Sequence, residues 1–306
     1  MDDGAYDKAS MLFAQCLREP GIGGSYWQWL SMAYLGMCFR QLRNHAEAKS
    51  LLMQALQALQ HFNEQMSPAL LVTFYREAAL CCEALGDTDQ AQILFEKSLR
   101  GYAHLEVAAR AKLQQGSEKD QAAATAEHRK LLSQQAATHY SLGMMMHKKA
   151  FAAKDAEAAS STTADAPTAT AAASSSPSAA AAAPSSPSPA SPRSSAASSL
   201  RLSAQRHYAS ALQLLRTLHG SDPKSPHSLL SAPVLASLGT VVMEQGDRET
   251  ALSLFMSALE CYQHHEDPRL VPLLEVYMEL LSSKDPAIKL ALQKAAEEEA
   301  NKGKAK

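Results

Sequence analysis

The sequence predicts an all-α fold: a right-handed α-solenoid of helix-turn-helix repeats with one disordered low-complexity insertion. Three observations lead to this prediction. Leu, Met, Ala, Gln and Glu recur with helical spacing on both sides of the insertion, without the period-2 alternation that marks strands. One spacing of small and bulky apolar residues recurs along the chain. The composition also changes abruptly near the middle of the sequence.

Overall composition excludes several classes of protein. The chain has 306 residues, a formal net charge of -2, 46% hydrophobic and 20% charged residues, as expected for one or two water-soluble domains. The charge is too close to neutral for a protein that wraps nucleic acid. No apolar run approaches the roughly 18 residues of a membrane span, and the acidic start Met1-Asp2-Asp3 predicts no secretory or transit signal.

The cysteines indicate a reducing compartment. There are five, an odd number, and none forms a C-x-x-C motif, so the sequence predicts neither a disulfide framework nor a zinc site. We therefore expect a cytoplasmic protein, and association with mitochondria or cilia stays open.

The insertion is defined by its composition. Apart from Asp165 and Arg193, every residue from Ala158 to Ser199 is Ala, Ser, Pro or Thr. Such a segment has almost no apolar surface to bury, so it cannot offset an ordering cost of about 1–2 kcal/mol per residue. Its prolines also interrupt any helix that the alanines begin. We predict a disordered loop over 156–199.

The repeat is the strongest feature of the sequence. Each unit has a small residue within a first helix, an alanine 12 positions later, a bulky apolar residue four positions after that alanine, and a small residue three further on. The members are Gly36, Ala48, Leu52 and Ala55; Ala79, Ala91, Phe95 and Ser98; and Gly239, Ala251, Phe255 and Ala258. A small residue in mid-helix allows a second helix to come close, so each unit predicts a hairpin that must stack to bury its apolar face.

Turn residues separate the two helices of a unit. Gly86-Asp87 and Gly246-Asp247 occur between the two halves of the second and fourth units. Glycine favours the left-handed conformation that ends a helix, and aspartate is a good N-cap for the next one.

A third unit is split by the insertion. Gly143 is the small residue of its first helix, so the matching alanine is expected at position 155. The pattern of Ala204, Tyr208 and Ala211 instead appears 49 residues later. The insertion therefore lies between the two helices of one repeat, where added residues are tolerated best.

These residues resemble the tetratricopeptide repeat, whose pattern is an aromatic or large residue, Leu-Gly, Tyr, Gly, Ala, Phe or Tyr, and Ala. Tyr75 and His139 occupy the first aromatic site of their units, whereas Met32 and Leu235 replace it elsewhere. The alanine-to-alanine steps of 39, 43 and 47 residues exceed the minimal repeat of about 34, which is similar to the long repeats of kinesin light chains.

The resemblance implies a division of the whole chain. The expected parts are a partial repeat with a second helix only at 1–20; repeats at 27–66, 67–115 and 228–266; a split repeat with helices at 121–155 and 200–220; the insertion at 156–199; and a degenerate repeat with a capping helix at 268–306. We also expect Trp27 and Trp29 to pack the first full repeat.

Catalytic and metal motifs are weak or missing in the sequence. Gly21-Ile22-Gly23-Gly24-Ser25-Tyr26 begins like a dinucleotide loop, but Tyr26 stands where the third glycine belongs. Cys261, His264 and His265 lie about one turn apart, but a closed metal site needs about four ligands. We predict no enzyme activity, no catalytic residue, no cofactor and no bound metal.

The resemblance further implies that first helices line a concave face that binds a partner peptide or helix. The residues placed there are Met37, Arg40, Thr73, Arg76, Leu80, Glu83, Tyr140, Met144, His147, Thr240 and Met243. Family members that hold acidic chaperone tails use a Lys/Asn/Arg clamp. The positions of the clamp's Asn residues are occupied in this sequence by Met37, Leu80, Met144 and Thr240. This argues against binding of an acidic chaperone tail. Packing between repeats is the competing interpretation of these residues.

Four Ser-Pro pairs suggest regulation. Ser176, Ser186, Ser188 and Ser191 could each accept phosphate from a proline-directed kinase, although a neutral spacer is the simpler interpretation.

The expected function is a protein-binding scaffold or adaptor whose partners are other proteins, with no nucleic acid and no membrane insertion. The alternatives are a constitutive subunit of a large assembly, a kinesin-light-chain-like cargo adaptor, and the sensor part of a larger signalling ATPase or enzyme.

Overall fold

The architecture is all-helical over the residues that the computed structural model describes, which are 3–62, 64–115, 118–162, 195–220 and 228–282. Within those ranges lie ten α-helices and no strand. The helices are α1 (Asp3–Cys16), α2 (Tyr26–Gln41), α3 (His45–Leu59), α4 (Pro68–Ala84), α5 (Thr88–Gln115), α6 (Glu118–Thr162), α7 (Ser195–His219), α8 (Ala232–Glu244), α9 (Arg248–His264) and α10 (Leu270–Ser282). Short 3₁₀ turns at Gln60–Phe62 and Ser228–Leu230 precede α4 and α8.

The helices pack as an α-solenoid of stacked hairpins. The hairpins are α2 with α3, α4 with α5, α6 with α7, and α8 with α9, and each second helix also packs against the first helix of the next hairpin. One cluster of buried apolar residues runs through all four hairpins, from Ala33 in α2 to Ala258 in α9. No hairpin closes its own core, because every apolar face is completed by the neighbouring hairpin.

The mid-helix small residues are the points of closest approach within the hairpins. A Cβ added at Gly143 would lie 2.8 Å from Cε1 of Tyr208, and one added at Gly239 would lie 2.8 Å from Cε1 of Phe255. Both aromatic rings are almost fully buried. Gly143 and Tyr208 therefore pack the two halves that the sequence assigns to one split repeat, α6 and α7, as a hairpin.

The predicted helix ends are observed. Gly86 and Gly246 have φ angles of +79° and +91°. The amide of Asp87 donates to the carbonyl of Cys82 at 2.9 Å, and its Oδ1 then accepts from the amide of Gln90 at 3.3 Å. Asp247 likewise accepts from the amide of Thr250 at 3.1 Å. One Gly-Asp pair thus ends a first helix and begins a second one.

The helices overlap the predicted insertion at both ends. The sequence predicts a loop over 156–199, but α6 continues to Thr162 and α7 begins at Ser195. Alanine has the highest helix propensity, and the segments outside Pro167 and Pro192 contain no proline, so helix continues into the low-complexity sequence from each side. The remainder of the predicted insertion, 163–194, lies outside the described residues.

The expectation for Trp27 is wrong. Its side chain is 64% exposed, whereas Trp29 packs against the main core. Residues two positions apart in sequence point about 200° apart around an α-helix, so the side chains of Trp27 and Trp29 cannot both face the core.

In the predicted degenerate repeat, α10 packs against α9. The expected capping helix falls on 283–306, which lie outside the described residues. No helix in the described ranges is long and apolar enough to cross a membrane.

Candidate functional site: the inner row of first helices

The first helices of the four hairpins form one continuous row. α2 contacts α4, α4 contacts α6, and α6 contacts α8. We call α2, α4, α6 and α8 the inner row. All eleven side chains that the sequence places on the binding face belong to these helices, and all eleven are half-buried. They are therefore neither core residues nor fully solvated ones, and they can serve both packing and recognition.

A buried carboxylate joins the first two helices of the row. Glu77 on α4 is only 3% exposed. It forms an ion pair with Arg40 on α2 and a second one, at 3.0 Å, with Arg76 on its own helix. The sequence placed both arginines on the binding face but did not single out Glu77. A glutamate directly after an arginine, in a helix with few other charged residues, is the signal that could have identified it.

A second carboxylate joins the last two helices of the row. Oε1 of Glu244 on α8 lies 3.0 Å from Nε2 of His147 on α6, and its Oε2 lies 3.1 Å from Nε of Arg201 on α7. The sequence analysis also missed Glu244 and Arg201, because both lie far from His147 in the sequence. Between the two ends, Lys148 on α6 reaches Glu83 on α4 at 3.4 Å.

The other predicted residues divide into two groups. Met37, Leu80, Met144 and Met243 pack their side chains against the main core. The hydroxyl of Tyr140 lies 3.5 Å from that of Ser237 on α8, and the Thr240 hydroxyl donates to the carbonyl of Ala236 in its own helix. Thr73 stands apart, because it lines a separate cavity of about 210 Å³ near the start of α4. The face therefore combines one apolar side chain from each of its four helices with ion pairs between the helices.

Two histidines meet inside the split hairpin. Nδ1 of His139 on α6 lies 3.1 Å from Nδ1 of His207 on α7. Burial, together with the neighbouring imidazole, lowers the pKa of His139 to about 4, and burial also lowers the pKa of His207. Both rings are therefore neutral at pH 7, and one donates a hydrogen bond to the other.

Two adjacent cysteines of α4 are part of the core. Cys81 and Cys82 are fully buried in the main cluster. Desolvation raises the pKa of the Cys81 thiol to about 12, which keeps it protonated and unreactive. Among the described residues, no group of three or more His, Cys, Asp or Glu side chains could hold a metal ion. The four predicted phosphorylation sites, Ser176, Ser186, Ser188 and Ser191, lie outside the described residues.

Comparison with known proteins supports the fold and does not identify a family. No protein-family model matches the chain, and no curated protein matches it either. Among solved structures, BtubC (BKLC) from P. vanneervenii is similar, with a TM-score of 0.52 and 14% identity, over 95% of this chain and 91% of that one. The assembly chaperone of RpL4, Acl4, is similar with a TM-score of 0.53 and 12% identity, over 98% of this chain and 95% of that one.

Both similar structures are helical-repeat solenoids, as this chain is. At 14% and 12% identity, the similarity extends to the fold and not to the residues of a site.

Proposed function

We propose that this chain is a non-enzymatic interaction scaffold that binds a peptide or helix of a partner protein on the face of its inner row. The observation that carries the proposal is the half-burial of all eleven predicted side chains across three helix-helix contacts. Such a face offers apolar contact area on each of its helices, and charged groups that fix the orientation of a ligand.

The distribution of charge supports a peptide ligand over a small molecule. Arg40 on α2 and Lys148 on α6 are already paired with Glu77 and Glu83 on α4, so these two pairs hold adjacent repeats in register. Arg76 pairs with Glu77 within α4. Partner binding then relies on the apolar side chains between them and on exchange of the exposed pairs, such as Lys148 with Glu83. The similarity in fold to the assembly chaperone of RpL4 is consistent with a protein ligand.

Affinity capture tests the proposal. We expect the double variant Glu83→Arg/Thr240→Arg to lose the partners that the full chain captures, because two bulky charges would occupy the face at α4 and α8. The matched control is Gln57→Arg/Glu260→Arg, which adds the same groups, with the same change of net charge, at exposed positions of α3 and α9. Thermal unfolding of both variants verifies that they fold.

Equal capture by the two variants would overturn the proposal. Capture of a single complex of fixed stoichiometry, with no competition by peptides from the partner, would favour a constitutive subunit instead.

A further inference from the structure

α5 and α6 are the two longest of the helices described. α5 has 28 residues, compared with 15 in α3, 25 in α7 and 17 in α9. α6 has 45 residues, compared with 17 in α4 and 13 in α8. The extra turns lie at the C-terminal end of α5 and at both ends of α6, and the N-terminal extension of α6 packs against α5. We call residues 105–114 and 121–134 the arm.

The arm has a small core of its own. Val72, Tyr102, Ala109 and Leu131 form a buried cluster separate from the main one, with Leu105 packed against it. This cluster holds the arm against α4. Because the other hairpins close without such an extension, repeat stacking alone does not require the arm.

A cavity opens where the arm meets the start of α4. Its volume is about 210 Å³, and we call it the arm cavity. The lining residues are Ala69, Leu70, Thr73, Tyr102, Leu105, Ala108, Ala109, Lys112, Glu127, Lys130, Leu131 and Gln134. Ala69, Ala108 and both lysines are exposed, so the cavity is open to solvent, whereas Tyr102 is only 1% exposed.

The size and chemistry of the arm cavity suit one large apolar side chain. Small-molecule sites usually measure about 300–1,000 Å³, so this cavity is too small for most cofactors. Leu70, Leu105 and Leu131 supply apolar walls. Thr73, one of the predicted binding residues, belongs to both the cavity and the inner row, so a segment lying on that row can place an anchor here.

The charges around the opening favour an acidic neighbour for that anchor. Two lysines and one glutamate line the cavity. Lys112 lies 3.9 Å from Glu127, and both side chains are about two-thirds exposed, so this pair is weak and readily exchanged. Lys130 has no ion-pair partner within 4 Å among the described residues. The lining therefore carries an excess positive charge that is available to a ligand.

We infer that the arm cavity binds a large apolar side chain of an acidic partner segment, whose carboxylates contact Lys112 and Lys130. This inference rests on the proposed function and adds the chemistry of the ligand to it. The lysines fix the charge of the segment next to the anchor, and the apolar walls fix the size of the anchor.

Selection from a random 12-residue peptide library displayed on phage, with the full chain as target, tests the inference. We expect enriched peptides to share one large apolar residue flanked by Asp or Glu. Fluorescence polarisation with a synthetic copy of an enriched peptide should then show at least tenfold weaker binding to Ala108→Phe, which fills the cavity. Ala103→Phe, at an exposed α5 position outside the cavity, should bind normally.

The charge requirement has its own pair of variants. Lys112→Glu/Lys130→Glu should also weaken binding at least tenfold, whereas Lys97→Glu/Arg129→Glu, which makes the same change of charge outside the cavity, should have little effect. No enrichment, enriched peptides without acidic residues, or equal binding to Ala108→Phe and Ala103→Phe would overturn the inference. If Glu83→Arg/Thr240→Arg still abolished partner capture in that case, the proposed function would stand without the arm cavity.

Discussion

Glu77 shows how one residue can serve both fold and binding face. Its carboxylate is buried and forms ion pairs with two arginines that would otherwise repel each other. The pairing restricts both guanidinium groups, so positive charge on this part of the face is held in place. Sequence patterns predicted the arginines as ligand contacts, but only the packing of α2 on α4 shows that they are first of all partners of Glu77.

Replacing Glu77 should therefore destabilise the protein strongly. We expect Glu77→Ala to lower the free energy of unfolding by about 3 kcal/mol, because it leaves two partly buried arginines without a counter-charge. Glu83→Ala, on the same helix, removes the partner of the exposed Lys148 and should cost about 1 kcal/mol or less. Urea denaturation at pH 7 measures both values, and equal losses would show that Glu77 is not a buried structural partner.

The His139–His207 pair should make stability depend on pH. The pKa of His139 is lowered to about 4 in the folded protein, and an unfolded histidine titrates near 6.5. The unfolded chain therefore binds more protons between these values. The stabilisation from His139 is complete above pH 6.5 and is lost as the pH falls towards 4, by up to about 1.4 kcal/mol per pH unit.

Denaturation midpoints at pH 7.5 and pH 5 measure this loss. The variant His139→Phe places the usual aromatic residue of the repeat at this site and removes one titrating group. We expect its stability to fall less between the two pH values than that of the wild type. An unchanged pH dependence would assign the effect to groups other than this pair.

The turn between the two helices of a hairpin differs among the repeats. The second and fourth hairpins use glycine in the left-handed turn after the first helix, but the first hairpin uses Arg43, with a φ angle of +62°. The same backbone bond forms there, from the amide of Asn44 to the carbonyl of Phe39 at 2.9 Å. The packing of α2 on α3 therefore sets this turn, although Arg43 stands where the other two turns have glycine.

Arg43→Gly should stabilise the chain. A Cβ in the left-handed region costs roughly 1–2 kcal/mol, and Arg43 is exposed. We expect Arg43→Gly to be about 1 kcal/mol more stable than Arg43→Ala, which keeps the Cβ but removes the rest of the side chain. Thermal and urea unfolding of the two variants provide the comparison, and equal stability would mean that the turn carries no strain from the Cβ.

The whole molecule tolerates a long interruption because each hairpin contacts only its neighbours. α6 and α7 pack along their length although 32 residues, 163–194, separate them in sequence. The energy of the hairpin resides in contacts such as that of Gly143 with Tyr208, and closing a longer loop adds only about 0.6 kcal/mol for each doubling of its length.

Replacing 163–194 with about ten Gly and Ser residues should therefore preserve the solenoid. Such a linker has a root-mean-square span of about 16–19 Å, which is enough to join adjacent helix ends. We expect the helical circular dichroism signal per molecule to stay the same. We also expect a free energy of unfolding equal to that of the full chain or up to about 1 kcal/mol above it. Loss of cooperative unfolding would show that the replaced segment contributes contacts to the fold.

The sequence by itself determined the all-helical class, the stacked hairpins and the Gly-Asp turns. Each of these depends on residues that are close in the sequence, within one hairpin, or on a repeated pattern that aligns segments far apart in the sequence. Tertiary structure alone decided the ion pairs of Glu77 and Glu244, the meeting of His139 with His207, and the arm cavity. These features join side chains from different hairpins or from helices of unusual length, and their spacing along the chain carries no periodic signal.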